Sequence, residues 1–207
     1  PALQAQGHTA RAIDLPAPHP GAGIAFMPHF ESAVRGDWAR VCAEAGITYL
    51  DPRADVEDLI ARIRGADLIL TEAMHGAIIA DALRTPFVPL LPIHPSHRMK
   101  WTDWAASLGI DLTQTSLPPS NLREAYVGLT GLDGQGARSA RLADGWAARP
   151  ANAVLRHRAA RRLQVLARTG VQHLSADHRI EEATERCLER LEAFARPGRD
   201  TLRRHSA

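Results

Sequence analysis

The chain has 207 residues, 45% hydrophobic and 23% charged, with a formal net charge of +2. That is the balance of one ordinary globular domain, or a domain with an appendage. The pI near 9.0 comes from scattered arginines rather than a strongly basic surface, which argues against nucleic acid as the main partner. Cys42 and Cys187 lie far apart inside helical patterns. They read as small core residues, neither a disulfide framework nor a metal site. No stretch approaches the roughly 20 apolar residues of a membrane span. No signal peptide is evident either, so a cytoplasmic setting is expected.

Residues 1–23, rich in Pro, Ala and Gly, predict an irregular lead-in. Ile24 to Met27 predicts a first strand. Asp37 to Ala45 predicts a helix stopped by Gly46, and Ile47 to Leu50 a second strand. Asp55 caps a helix that carries Val56, Leu59, Ile60 and Ile63 at helical spacing. The short apolar run ending at Thr71 suits a parallel strand buried on both faces. A helix with Ile78, Ile79, Ala82 and Leu83 on one face follows it. Phe87 to Leu91 is a fourth strand, in which Pro89 indicates an edge or irregular position. Met99 to Leu108 predicts a helix and Ile110 to Leu112 a short final strand. This alternation implies an α/β fold, a Rossmann-like parallel sheet with helices on both faces, over residues 24–118. No G-x-G-x-x-G follows the first strand, so no dinucleotide cofactor is expected. Pro118, Pro119, Gly131, Gly134 and Gly136 predict a linker over 119–150. Residues 151–207 predict a helical tail, with amphipathic helices near Ala151–Arg168 and Asp177–Ala195.

In open α/β sheets, ligands bind beyond the carboxyl ends of the strands. His29 follows the first strand, with Arg35 further on; Asp51 and Arg53 follow the second. Glu72 and His75 follow the third, and His94, His97, Arg98 and Lys100 the fourth. His75 stands where strand turns into helix, and Gly76 beside it lets a backbone or a ligand come close. The free N–H groups of that helix start favour an anion. Arg98 and Lys100 open the next helix, where cations oppose the dipole; a nearby anion would explain them. His94 and His97 have no third ligand at a recognisable spacing, so no metal is expected. Trp101 and Trp104 share a helix face and read as core packing. The run Arg156, His157, Arg158, Arg161, Arg162 reads as a solvated helix face, without the interleaved aromatics that nucleic acid or membrane would want.

The segment Glu72-Ala73-Met74-His75-Gly76-Ala77-Ile78 with Ala80-Asp81-Ala82-Leu83 and Pro86 resembles the polysaccharide pyruvyl transferase family, most of all its succinoglycan-type, ketal-forming branch. Phe26-Met27-Pro28-His29 upstream carries the resemblance further, as does Pro92-Ile93-His94-Pro95 with His97-Arg98-Met99-Lys100-Trp101 and Asp103-Trp104 downstream. It covers about residues 24–112. It implies the C-terminal lobe of a two-lobed, GT-B-like fold, and hence a C-terminal fragment of a longer protein. It also implies transfer of a pyruvyl group from phosphoenolpyruvate, the donor substrate, to a sugar of an exopolysaccharide or its lipid-linked precursor. The product would be a pyruvate ketal, made without cofactor or metal. Association with the inner face of the membrane would come through the acceptor. In that scheme His75 is the acid–base or phosphate-contacting group, Glu72 either accepts a proton, orients His75 or caps the helix, and Arg98 and Lys100 face the donor anion. His29, His94, His97 and Gly76 are further site candidates. One departure bears on the donor: many members carry an arginine two positions before the histidine, where this chain has Ala73. Two other readings stay open: a glycosyltransferase holding a nucleotide sugar at the same helix start, and a non-catalytic domain of the same fold.

Overall fold

The computed structural model describes residues 15–19, 21, 23–93, 99–132, 136, 140, 143 and 145–195. Residues 15–175 form one compact unit. Five strands make its sheet: β1 (Gly23–Met27), β2 (Thr48–Tyr49), β3 (Ala66–Thr71), β4 (Phe87–Leu91) and β5 (Thr115–Ser116). Their order is β2-β1-β3-β4-β5 and every pairing is parallel. The helices are α1 (Phe30–Arg35), α2 (Trp38–Ala45), α3 (Val56–Arg64), α4 (Met74–Ala82), α5 (Met99–Leu108), α6 (Leu122–Thr130) and α7 (Arg149–Thr169). The Rossmann-like reading therefore holds, with strand order reversing between β1 and β3.

Strand periodicity explains the two cores. Leu68 and Leu70 point to one face of β3 and Ile69 to the other, because side chains alternate along a strand. The first face packs on Trp38, Val41 and Cys42 of α2 and on Ala159, Ala160, Leu163 and Leu166 of α7. The second packs on Leu59 and Ile63 of α3, Ala77 and Ala80 of α4, and Trp101 of α5. Both faces are covered, so the strand reads as an unbroken apolar run. The caps follow the sequence signals. Asp55 accepts from the N–H groups of Glu57 and Asp58, and Gly46 ends α2 with φ of 69° in the left-handed region that favours glycine.

Several expectations need correcting. Pro89 lies in an interior strand, opposite Thr71 of β3. Phe87 exchanges both backbone hydrogen bonds with His173, and β5 pairs with β4 only from Leu90 onward. The nitrogen of Pro89, two residues past that of Phe87, faces the same side. It falls between these two partners, where no donor is missed. The final strand is at Thr115–Ser116, not Ile110–Leu112; Ile110 and Leu112 instead pack against the second core. The stretch read as a linker holds α6, capped by Asn121, which accepts from the N–H of Glu124. The first helix of the region read as a tail, α7, packs into the first core, and Arg156 and His157 of its basic run pair with Glu44.

Residues 173–175, beyond α7, return to the sheet. Buried Asp81 near the end of α4 accepts from the N–H and Oγ of Ser175 at 2.7 and 2.8 Å. Arg84, held at φ of 62°, donates to the Ser175 carbonyl at 2.7 Å. The second unit contains α8 (Asp177–Ala195). Its Cys187, read as a core residue, is exposed, as are Leu188 and Leu191. Its apolar stripe made it look covered in the sequence.

Candidate functional site

The reversal of strand order between β1 and β3 splays the following loops apart and leaves a crevice at the carboxyl ends of the strands. A cavity of about 430 Å³ occupies it. His29 and Phe30 enter from the end of β1, Glu72 and His75 from the end of β3, and Lys100 and Trp101 from α5. The segments that follow β1 and β3, together with the start of α5, thus contribute to one cavity. Its walls are otherwise apolar, with Met27, Val56, Leu59 and Ile79 among them. A charge inside is therefore poorly screened and counts for more than one on the surface.

Glu72 is the most perturbed group. It is fully buried one residue past β3. Its Oε2 accepts from the backbone N–H of His29 at 3.2 Å, while Oε1 has no hydrogen-bond partner. Burial above all, and then the charge of buried Glu124, push its pKa up to about 8. The Ser32 hydroxyl, the His29 N–H and the charge of Arg35 pull the other way without cancelling that rise. At pH 7 the side chain is thus mostly a carboxylic acid, with a proton to give. It neither caps α4 nor bonds to His75; the Ala73 N–H is met by Thr71 Oγ1 instead, at 3.0 Å.

His75 is in the first turn of α4 and exposed to the cavity. The N-cap, Ala73, supplies no side-chain acceptor, so first-turn N–H groups of α4 are left open beside it. Gly76 explains how close this turn sits to the sheet. A Cβ there would come within 2.6 Å of Met27 Sδ and 2.8 Å of Thr71 Oγ1, so what approaches Gly76 is the ends of β1 and β3. His29 caps α1: its Nδ1 accepts from the Glu31 N–H at 3.4 Å, and its ring lies 4.5 Å from that of Phe30. Lys100 is exposed at the cavity. Trp101 and Trp104 pack edge to face at 6.2 Å, with Trp101 buried, which is the core role expected of them. His94, His97 and Arg98 lie outside the described residues.

Other polar groups fall elsewhere. Asp51 and Arg53 form a two-pronged pair with each other, at 2.9 and 2.7 Å, on the exposed loop after β2. Arg35 is buried on α1 and pairs with Glu31 at 2.7 Å. Sequence reasoning missed Glu124. It is buried, its pKa is raised by that burial, and it accepts from Trp38 Nε1 and from the N–H and Oγ of Ser120. Asn121 followed three residues later by Glu124 is a helix-start signal that could have located α6. Nothing in the sequence marks the burial. Among the described residues, no cluster of three His, Cys, Asp or Glu side chains is set to hold a metal. No helix among them is long and apolar enough to cross a membrane.

Comparison with known proteins converges on the same segment. Residues 28–94 match the family model described as polysaccharide pyruvyl transferase. The succinoglycan biosynthesis protein ExoV of Rhizobium meliloti (strain 1021) is 41% identical over 102 residues, which is 49% of this chain and 32% of that protein. The match thus spans about a third of the relative's length. No solved structure matches.

Proposed function

We propose that the chain, which matches the polysaccharide pyruvyl transferase family model through residues 28–94, is a member of that family and forms the donor-side lobe of an enzyme that moves a pyruvyl group from phosphoenolpyruvate to a glycan. The observation that carries this reading is buried Glu72, its pKa pushed up by that burial, in the wall of the same cavity as His75 and Lys100. Ketal formation begins with proton transfer to the methylene carbon of phosphoenolpyruvate. Glu72 is the proton donor in this scheme. The positive charge that develops at C2 is shared with its oxygen. A sugar hydroxyl then attacks C2 and gives up its proton to His75. A second hydroxyl of the acceptor attacks the same carbon, the C2–O bond to phosphate breaks, and inorganic phosphate leaves. Two hydroxyl protons are released; one replaces the proton given to carbon and the other leaves on the phosphate, so the balance closes.

The cations for the donor's phosphate and carboxylate are Lys100 and the open N–H groups at the start of α4, with Arg98 as a third candidate. Lys100 and that helix start meet the need left by Ala73, where many relatives carry arginine. The acceptor is a sugar of an exopolysaccharide or of its lipid-linked precursor. The partner lobe of a GT-B-like protein supplies the acceptor side, and the setting is the cytoplasm at the inner face of the membrane.

The test is donor choice. Calorimetric titration of the complete protein should show binding of phosphoenolpyruvate and none of nucleotide sugars. His75→Ala should lower ketal formation by about two to four orders of magnitude, the usual worth of a positioned acid–base group, and leave the fold intact. Tight binding of a nucleotide sugar alone would replace this reading with glycosyl transfer.

A further inference from the structure

Two fully buried carboxyls share a field across helix α1: Glu72, just past β3, and Glu124, in α6. Helix α1 is tied to both. Its start meets Glu72 through the His29 N–H and the Ser32 hydroxyl. At its end the Arg35 carbonyl accepts from Asn121 Nδ2 at 2.8 Å, and Asn121 caps α6 three residues before Glu124. The Arg35 side chain, itself buried, pairs with Glu31 at 2.7 Å and acts on both carboxyls. The two carboxyls are supplied with donors very differently. Glu124 accepts on both oxygens: Oε1 from Trp38 Nε1 at 2.7 Å, Oε2 from the N–H and Oγ of Ser120 at 2.7 and 2.6 Å. Ser120 Oγ also accepts from the Asp37 N–H at 2.8 Å, which leaves its hydroxyl proton for Glu124. Glu72 takes a longer bond on Oε2, 3.2 Å from the His29 N–H, and Oε1 has no partner. When two carboxyls share a poorly screened interior, the one with donors takes the charge and the other keeps its proton. Glu124 also lines a different cavity from that at His75, with Leu91, Ile93, Leu117 and Leu129.

We propose that Glu124 is a positioning residue for the chemistry at His75: it carries the one negative charge of this buried pair and so keeps on Glu72 the proton to be transferred. The link to catalysis rests on the pyruvyl-transfer reading; the division of charge does not. The directions of the two shifts agree with it. Burial and then the charge of Glu124 raise Glu72. Burial raises Glu124 too, against the pull of Ser120, Trp38 and Arg35. The other titratable groups around the pair are His29, Glu31 and Arg35 at α1, Asp37 beside Ser120, and His75 and Lys100 across the cavity. All of them stay in place when Glu124 alone is changed.

Carboxyl-carbon NMR of the 207-residue chain, labelled in glutamate and assigned with Glu72→Gln, reads both titrations without any substrate. Glu124 should lose its proton at lower pH than Glu72. Glu124→Gln keeps the shape and an acceptor for Trp38 but removes the charge, so the Glu72 midpoint should fall by at least about half a pH unit. The reverse order of ionisation in the parent overturns the proposal, as does a smaller fall in the variant. If circular dichroism shows the variant unfolded, the order in the parent decides alone. In the complete protein, the alkaline limb of the pH profile of ketal formation should move down with Glu124→Gln, and activity near about pH 5 should stay within about tenfold of the parent. A uniform loss at every pH with the limb in place would make Glu124 merely structural and overturn its positioning role. A parent that shows the expected order of ionisation yet forms no ketal sinks the pyruvyl-transfer reading and leaves the division of charge standing.

Discussion

Helix α1 borders two cavities, the one at His75 and a groove lined by Arg35, Arg40, Arg123, Arg149 and Arg156, and the two handle charge in opposite ways. At His75 the walls are mostly apolar, and a single carboxyl, buried with one oxygen unpartnered, is driven to hold its proton. In the arginine groove Arg40 and Arg156 stand against Asp37, Arg156 also against Glu44, and Arg35 against Glu31, with the Arg40 side chain largely in solvent. Burial changes what a group is chemically, whereas exposure leaves it a charge and lets numbers decide. A reactive step needs the first kind of environment. Capture of a charged ligand needs only the second.

The largest effect that would separate them is on catalysis. In the complete protein, Glu72→Gln should lower ketal formation by about two to four orders of magnitude, because the amide keeps the shape but gives no acidic proton. Arg40→Gln should cost far less, at most about tenfold, since a single exposed charge is weakly coupled. Equal losses in the two variants would erase the distinction.

Stability gives the next contrast. Glu124 is buried in the field of Arg35 and accepts three hydrogen bonds. Glu124→Ala strands the Trp38 and Ser120 donors in a buried place and should cost about 2–5 kcal/mol in a urea unfolding experiment. A loss under about 1 kcal/mol would mean that water reaches those donors.

The pH dependence is gentler. Unfolded, Glu72 ionises near 4.5; folded, it does so near 8. Between those values the folded chain keeps a proton that the unfolded chain has released. Stability should therefore be highest below pH 4.5 as far as this group is concerned, and fall as pH rises toward 8. The slope is about 1.4 kcal/mol per pH unit from one such group. Glu124, also raised by burial, acts in the same direction. Urea midpoints at pH 5 and pH 8 should converge in Glu72→Gln relative to the parent. An unchanged difference would show that Glu72 ionises normally.

Smallest is the effect of Gly76→Ala. The new methyl meets Met27 Sδ and Thr71 Oγ1 below normal contact and should cost about 1–3 kcal/mol as α4 is pushed off the strand ends. A neutral outcome would mean that Met27 swings aside.

The parts of this picture that the sequence disclosed were those governed by local rules. Apolar runs marked β1, β3 and β4, Asp55 and Gly46 marked helix ends, and His75 was placed at the right turn by the switch from one period to the other. Helix α1 escaped because Phe30 and Val34, its large apolar residues, are both exposed, so it has no buried stripe to detect. Helix α6 was hidden by Pro118 and Pro119 before it and by Gly128 and Gly131 at its end, which look like a loop. Pro89 misled because the tolerance for a missing donor depends on His173, 84 residues beyond in the chain. For the site, the residue types were visible but their environments were not. Whether Glu72 is a surface carboxylate or a buried acid is decided by α1 folding over it, and the arginine groove exists only once four helices have met.

The tie between Ser175 and Asp81 has a consequence for the order of events during synthesis. Asp81 and Ser175 are 94 positions apart, and the carboxylate is buried. On the ribosome, the helix that carries His75 emerges long before its far end can be fastened. Until residue 175 leaves the exit tunnel, Asp81 and Arg84 lack these partners. The nascent lobe must then hold α4 untied at that end through the translation of β4, α5, α6 and α7, which is the interval in which it is most exposed to misfolding and proteolysis.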